Sequence, residues 1–319
     1  MIDLVGVGNL NIDTFVFVED SFIEKQRLRK GNAHPKKKYH SILEKIKDHK
    51  KENHPGGSVA NTLSGAHNLG IECLLSGILG NDKLGEFYLN NVATSGMHHK
   101  ISLKEGKSSN CICMITPDKQ RTFATAIGMA DKYQKQDLPY DAIKKDVIFH
   151  TETYTLEGPG KDVMLDFIKY SKEKKAKTSL DIGYAAYAEK ERPFLIELLE
   201  KEIDFVFCNE EEAIALAQMN TYDSLDFLGE LCETAVVTVG EVGALIKNKG
   251  RTYRIPGYNS QVVDTTGAGD AFRAGFFYGY FKTGDLEKAG KMGCYYSSKV
   301  VENVGARLNE KIENIEDKI

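Results

Sequence analysis

These 319 residues contain no C-x-x-C pair and no H-x-x-x-H pattern, which removes the usual spacings of a structural zinc site. No apolar run approaches the roughly 18 residues that suggest a membrane span. The opening stretch, MIDLVGVGNL, has no basic segment and no cleavage-like site after an apolar run, so it reads as structure and not as a signal peptide. The six cysteines are scattered, as expected of small buried hydrophobes in a reducing, cytoplasmic compartment. Positive charge is not in excess either. The formal net charge is -4, which argues against a broad affinity for nucleic acid. No internal repeat and no low-complexity tract appears beyond a Lys-rich stretch, Lys25 to Lys51. What remains is an ordinary globular composition, 41% hydrophobic and 28% charged, in a chain long enough for one large domain, 1–319. The expected partner is a small molecule, with no nucleic acid, no membrane, and either a monomer or a homodimer.

The first residues, IDLVGVGNLNID, read as a buried strand ending in Gly and Asn, and TFVFVED (Thr14 to Asp20) as a second extended run. Within the Lys-rich stretch, Tyr39, Ile42, Leu43 and Ile46 fall at helical spacing, which predicts an amphipathic surface helix; a nucleic-acid arm is the rival reading. After Gly56-Gly57, Ser58 is a candidate N-cap for a helix from Ala60 to Leu69, with Gly70 as its stop. Lys107 to Ala126 reads as strand, turn and strand, with Pro117-Asp118 at the turn. From DVIFHTET onward, strands alternate with helices to the end of the chain. That alternation predicts an α/β fold in three αβα layers around a mostly parallel sheet. The early extended runs do not fit it, and they predict a small extra sheet from about 13–20 and 107–127, placed as a lid.

The most informative stretch is DTTGAGDAF, Asp264 to Phe272, with a helix-like run behind it. Gly267, Ala268 and Gly269 can bring bare N–H groups together at a helix N-terminus, which is an anion site. Asp270, set beside that site, can accept a proton from a bound substrate. The alternative is a tight turn with Asp270 as a helix cap. Gly6-x-Gly8 begins a dinucleotide fingerprint, but Asn11 stands where its third glycine belongs; GKS at Gly106 to Ser108 ends like a P-loop, but Ile101 replaces the required glycine.

DTTGAGDAFRAGF resembles the C-terminal signature of the ribokinase-like carbohydrate and nucleoside kinases, the PfkB family. PGGSVANT (Pro55 to Thr62) resembles its di-glycine signature, GNLNID its first strand, CNEEE (Cys208 to Glu212) its Asn-x-x-Glu element and VTVGEVGA (Val237 to Ala244) its nucleotide-loop strand. These five elements stand in the family's order and span nearly the whole chain. The resemblance implies a ribokinase-like fold and an ATP- and Mg²⁺-dependent kinase. By it, Asp270 is the base for a substrate hydroxyl, and Gly267, Ala268 and Gly269 form the anion hole. Asp13 binds substrate hydroxyls, Gly56 and Gly57 let the ring lie against backbone, and Asn11 and Asn61 assist. Asn209 and Glu212 organise water around Mg²⁺, although the NEEE cluster also reads as an acidic first helical turn. Thr238, Gly240 and Gly243 line the ATP cleft, and Asp264 is the candidate holder of a monovalent cation, K⁺, as in some relatives.

The spacer between Asp13 and Gly56, the stretch TPDKQRTFATAIGMA and the ending SSKVVENVGAR resemble the bacterial adenosine-kinase-like branch, so the expected acceptor is the hydroxymethyl group of a nucleoside. A free or phosphorylated sugar is the second candidate, and a non-catalytic nucleotide or sugar sensor the third. Phe15, Phe17 and Phe123 read either as a wall for a base or as lid core, and Arg121 as a phosphate contact or a turn residue.

Overall fold

The computed structural model describes residues 2–34, 36–308, 312 and 315–319. Its strands are, in chain order, β1 (Leu4–Val7), β2 (Asn11–Phe17), β3 (Ala33–His34), β4 (Lys51–Gly56), β5 (Cys73–Gly80), β6 (His98–Lys104), β7 (Ser109–Ile115), β8 (Arg121–Ala126), β9 (Ile148–Glu152), β10 (Lys177–Asp181), β11 (Phe205–Asn209), β12 (Thr234–Thr238), β13 (Gly243–Asn248) and β14 (Arg251–Pro256). The α-helices are α1 (Asp20–Lys25), α2 (Lys36–Lys45), α3 (Ser58–Asn68), α4 (Lys83–Ser95), α5 (Lys161–Glu173), α6 (Ala185–Lys190), α7 (Arg192–Glu202), α8 (Glu210–Ala217), α9 (Thr221–Leu231), α10 (Ala268–Thr283) and α11 (Leu286–Val300).

One sheet has the order β14-β13-β12-β11-β10-β9-β1-β5-β6, parallel from β12 to β6 and antiparallel at β13 and β14. Alternate strand residues divide between two apolar layers, as a period of two requires. Leu4, Phe205, Phe207 and Val236 join the cluster of α3, α10 and α11; Val5, Val206, Cys208 and Val237 join that of α5, α7, α8 and α9. This is the three-layer αβα sandwich expected. The chain winds one way from β1 through β5 and β6, and the other way from β9 through β12. The strand order therefore reverses between β1 and β9, which is where such sheets bind ligands beyond their carboxyl ends. β6 and α9 were not anticipated. β6 is a polar edge strand whose HHK opening carries little β signal, and α9 starts at the Asn220 cap, whose side chain accepts from Tyr222 and Asp223 N–H.

The second sheet has the order β3-β8-β7-β2-β4, so it draws on 33–34 and 51–56 besides the two segments expected. The first of those segments ends as strand at Phe17 and turns into helix at Asp20. The Lys-rich stretch supplies its cover. Tyr39, Ile42 and Ile46 are buried with Val16, Ile112, Met114 and Ala124 in a separate small core, and Tyr39 Oη donates to Asn110 Oδ1 at 2.8 Å. Leu43, predicted for the same apolar stripe, is 40% exposed. Because this core is independent of the main one, Ile42→Ala should cost about 2–5 kcal/mol locally. Hydrogen exchange should then speed up in β7 and β8 while β9 to β12 keep their protection.

Candidate active site

Helix α3 does not use Ser58 as its cap. Gly57 is the N-cap, at φ 99°, and Ser58 is the first helical residue. Its hydroxyl is thereby free to donate to Asp270 Oδ1 at 2.8 Å. Asn61, one turn on, donates Nδ2 to Asp270 Oδ2 at 2.8 Å. Arg273, which follows Asp270 by three residues on α10, donates Nη2 to Asp270 Oδ1 at 2.5 Å and Nη1 to Asp181 Oδ1 at 2.7 Å. Asp270 and Asp181 are buried at the carboxyl-end face of the sheet, and so is the guanidinium between them.

Gly267 caps α10 at φ 75°, where a Cβ would stand 2.4 Å from that of Ala306. The Ala268 N–H turns back to the Thr265 carbonyl at 3.1 Å, while those of Gly269 and Asp270 have no acceptor among the described residues. These two donors, with the helix dipole behind them, border a cavity of about 250 Å³ lined also by Asp181, Asn209, Glu212 and Arg273. It shares Thr238, Thr265, Ala268, Gly269 and Phe272 with a cleft of about 710 Å³, large enough for a nucleotide, that runs past Gly240, Gly243, Tyr258 and Ser298. Gly240 and Gly243 both have positive φ, 55° and 117°.

On the other side of Asp270 lie the acceptor candidates. Asn11 Nδ2 donates to Asp13 Oδ1 at 2.7 Å. A Cβ on Gly56 would stand 2.4 Å from Asp13 Oδ2, and one on Gly57 would stand 2.5 Å from the Asn9 carbonyl, so neither position has room for a side chain. Burial pushes the Asp13 carboxyl up to about 6, against the pull of Arg307 and Asn11 and with a further push from Asp270. The sign follows: Asp13 is charged above about pH 6 and protonated below it, losing its charge-assisted acceptor. The acceptor KM should therefore rise as pH falls through 6, with the nucleotide KM steady; a flat acceptor KM from pH 5 to 8 would remove Asp13 from the acceptor site. Arg307 donates Nε to Asn61 Oδ1 at 2.9 Å, and its buried Nη2 has no partner among the described residues. Glu152, ending β9, accepts from Asn9 N–H at 2.9 Å through Oε1; burial pushes its carboxyl up to about 8.

Asn209 and Glu212 form a reciprocal cap on α8: Asn209 Oδ1 accepts from Glu212 N–H at 2.9 Å, and Glu212 Oε2 accepts from Asn209 N–H at 2.8 Å. The acidic-turn reading is thus realised, on the wall of the smaller cavity. Asp264 carries a guanidinium. Its Oδ1 accepts from Arg121 Nη1 at 2.6 Å and from Thr266 N–H at 2.9 Å, and its Oδ2 from Gly305 N–H at 2.8 Å. Burial opposes its charge, yet Arg121 and these backbone donors hold the carboxyl well below the usual range. The guanidinium thus occupies Asp264 Oδ1 as a cation of the chain, leaving one open lone-pair site on Oδ2, and it is expected to make a monovalent ion dispensable. Replacing K⁺ by tetramethylammonium in a turnover assay should leave the rate unchanged within error, and a large loss would overturn that assignment. Arg121 also donates to Thr266 Oγ1 at 2.8 Å, so it ties β8 to the loop before the anion site.

Glu152, Asp181, Arg273 and Arg307 escaped the sequence reading. Arg273 carried a signal, a lone charge inside the apolar run AFRAGFF, and so did Asp181, at the carboxyl end of a buried strand. Arg307 carried none.

The model of the pfkB family carbohydrate kinases matches residues 36–313. A sugar kinase of Archaeoglobus fulgidus, itself uncharacterised, is 29% identical over 245 residues, covering 76% of this chain and 96% of that protein. A nucleoside kinase of Methanocaldococcus jannaschii is 30% identical over 258 residues, covering 80% and 81%. The crystal structure of adenosine kinase from Sinorhizobium meliloti superposes with a TM-score of 0.89 at 25% identity, over 99% of each chain. The free N–H groups at the start of α10, the carboxylate beside them and the nucleotide-sized cleft behind them agree with that kinship, and the chain belongs to the pfkB family of carbohydrate kinases as a phosphotransferase with an alcohol acceptor, of the sugar and nucleoside kinase kind.

Proposed function

We propose that the chain transfers the γ-phosphoryl group of ATP to the hydroxymethyl group of a nucleoside, with adenosine first among them. The observation that carries this reading is the inner face of the small sheet. Its core residues, Val16, Ile112, Met114 and Ala124, lie on the face under α2. By strand alternation, Asp13, Phe15, Cys111, Cys113 and Phe123 lie on the opposite face, the one from which Arg121 reaches Asp264. Pairing sets Phe15 beside Cys113, and Cys113 beside Phe123, one row along from Asp13. Phe15 also meets His54 edge-on at 5.1 Å. A flat apolar patch next to a diol-binding carboxylate suits a base attached to a ribose. Phe17, 70% exposed, is the least suited of the three phenylalanines to that wall.

In the transfer, Asp270 Oδ2 takes the proton of the acceptor hydroxyl as its oxygen bonds to the γ-phosphorus. The bond from phosphorus to the β–γ bridging oxygen breaks, and ADP leaves with those electrons. The N–H groups of Gly269 and Asp270 meet the charge that develops on the phosphoryl oxygens. The residues present fit Mg²⁺ brought in on the phosphates: Glu212 offers a hard oxygen on the cavity wall, and no group of three or more His, Cys, Asp or Glu among the described residues forms a metal cage of its own. Held through water by Glu212 and Asn209, it would neutralise phosphate charge. Closure of the small sheet would exclude water as a competing acceptor.

A phosphorylated sugar is the second reading, favoured by Arg307 Nη2 near Asp13, which has no partner among the described residues. The test is ADP release with ATP and Mg²⁺ across adenosine, inosine, cytidine, ribose, fructose and fructose phosphates. Activity on nucleosides supports the first reading, activity confined to sugar phosphates the second.

A further inference from the structure

Arg273 is a charged residue within the buried run Asp270 to Gly279 of α10, and such a group persists there only if its charge and its donors are met. Two carboxylates meet them. The planar fork of the guanidinium spans Asp181 on β10 and Asp270 on its own helix, with Nη2 also donating to Ser58 Oγ at 2.8 Å and Nε lying 3.4 Å from Thr62 Oγ1. The consequence for Asp270 is an asymmetry between its two oxygens. Among the described residues, Oδ1 accepts from both Ser58 and Arg273, whereas Oδ2 accepts only from Asn61. A carboxylate oxygen has about two lone-pair sites, so Oδ1 is filled and Oδ2 has one open.

We propose that Asp181 and Arg273 are positioning residues for the catalytic base: Arg273 pins Asp270 Oδ1 so that Oδ2 alone faces the acceptor proton, and Asp181 holds Arg273 in that pose. This rests on the reading of Asp270 as the base. Lysine cannot replace the fork, because an ammonium is a point charge that does not fix two carboxylates in one plane. The open side of Gly269 adds to the case: a Cβ there would meet Arg273 Nη1 at 3.5 Å, so the pinning group lies alongside the anion site and not behind it.

The test compares Asp181→Asn, Arg273→Lys, Arg273→Gln, Asp270→Asn and the double variant Asp270→Asn/Arg273→Gln in the full chain, by steady-state and single-turnover kinetics with melting temperatures alongside. Asp181→Asn and Arg273→Lys should lose about 10- to 100-fold in kcat with both KM values little changed, as expected of a misplaced base. The double variant should turn over at the rate of Asp270→Asn alone, because Arg273 acts through the residue already removed. Further loss in the double variant, or unchanged kcat in Asp181→Asn, would overturn the proposal. If Arg273→Gln does not fold, the kcat and KM of Asp181→Asn and Arg273→Lys decide. Wild-type turnover in Asp270→Asn would instead sink the assignment of the base; loss there with no loss in the other variants sinks only the positioning role.

Discussion

Asp270→Asn should reduce kcat by about 10²- to 10⁴-fold, the range for removing a general base, while ATP binds as before. The amide keeps the size of the carboxylate, and its oxygen can still accept from Ser58 and Arg273 as Oδ1 does. What it cannot do is take a proton at the Oδ2 position. There its NH₂ would face the Asn61 Nδ2 donor, and Asn61 cannot flip without giving up Arg307, which donates to its Oδ1. A modest fall in melting temperature should therefore accompany the kinetic loss. ATP binding is spared because the larger cleft is built from β12, the loop to β13, α11 and the start of α10, and Asp270 does not line it. Single-turnover transfer with saturating acceptor, alongside an equilibrium titration of ATP, separates the two effects. Equal turnover in the variant and the parent would contradict the mechanism.

Gly56→Ala should raise the acceptor KM by about 10²-fold, with the ATP KM unmoved, since displacements near 1 Å at a positioned site cost that much. The added Cβ would stand 2.4 Å from Asp13 Oδ2 and 3.3 Å from the Asn11 carbonyl, and the Asp13 side chain is the part that can yield. Once it swings, it leaves the Asn11 amide and the acceptor hydroxyls together. Gly70→Ala is the control. It sits at φ 98° beyond the other end of α3 with nothing within 4 Å, so it carries backbone strain without touching the site. A similar rise in KM in both variants would assign the effect to a strained α3; a rise in Gly56→Ala alone assigns it to Asp13.

The helix of Tyr39, Ile42 and Ile46 shows how far a local pattern carries. Its spacing located α2 and, apart from the exposed Leu43, its buried stripe, but not the surface under that stripe. The stripe could have packed on the main sheet or on a partner; it packs on the small sheet because β3 and β4, at either end of the same segment, are themselves strands of that sheet. Phe15 and Phe123 show the same limit. Alternation says they share faces with Asp13 and with one another, yet which face is the core depends on where α2 lies. Ser58 misled because a serine after two glycines is a good cap in isolation, whereas here Gly57 takes the non-helical conformation and the hydroxyl is drawn to a carboxylate 212 residues away.

The sequence alone determined the αβα architecture, since alternating apolar strands and amphipathic helices can bury both faces of their strands in few other ways. It also determined that bare N–H groups and a carboxylate stand together at the start of α10, because both are set by consecutive residues whose geometry a helix N-terminus dictates. Only the tertiary structure decided the rest. Asp181 and Arg273 are 92 residues apart, Arg121 and Asp264 143 apart, and Asn61 and Arg307 246 apart. Charged side chains at such separations find each other through burial, where an unpaired charge is too costly to leave, and no periodicity along the chain records which partner that will be.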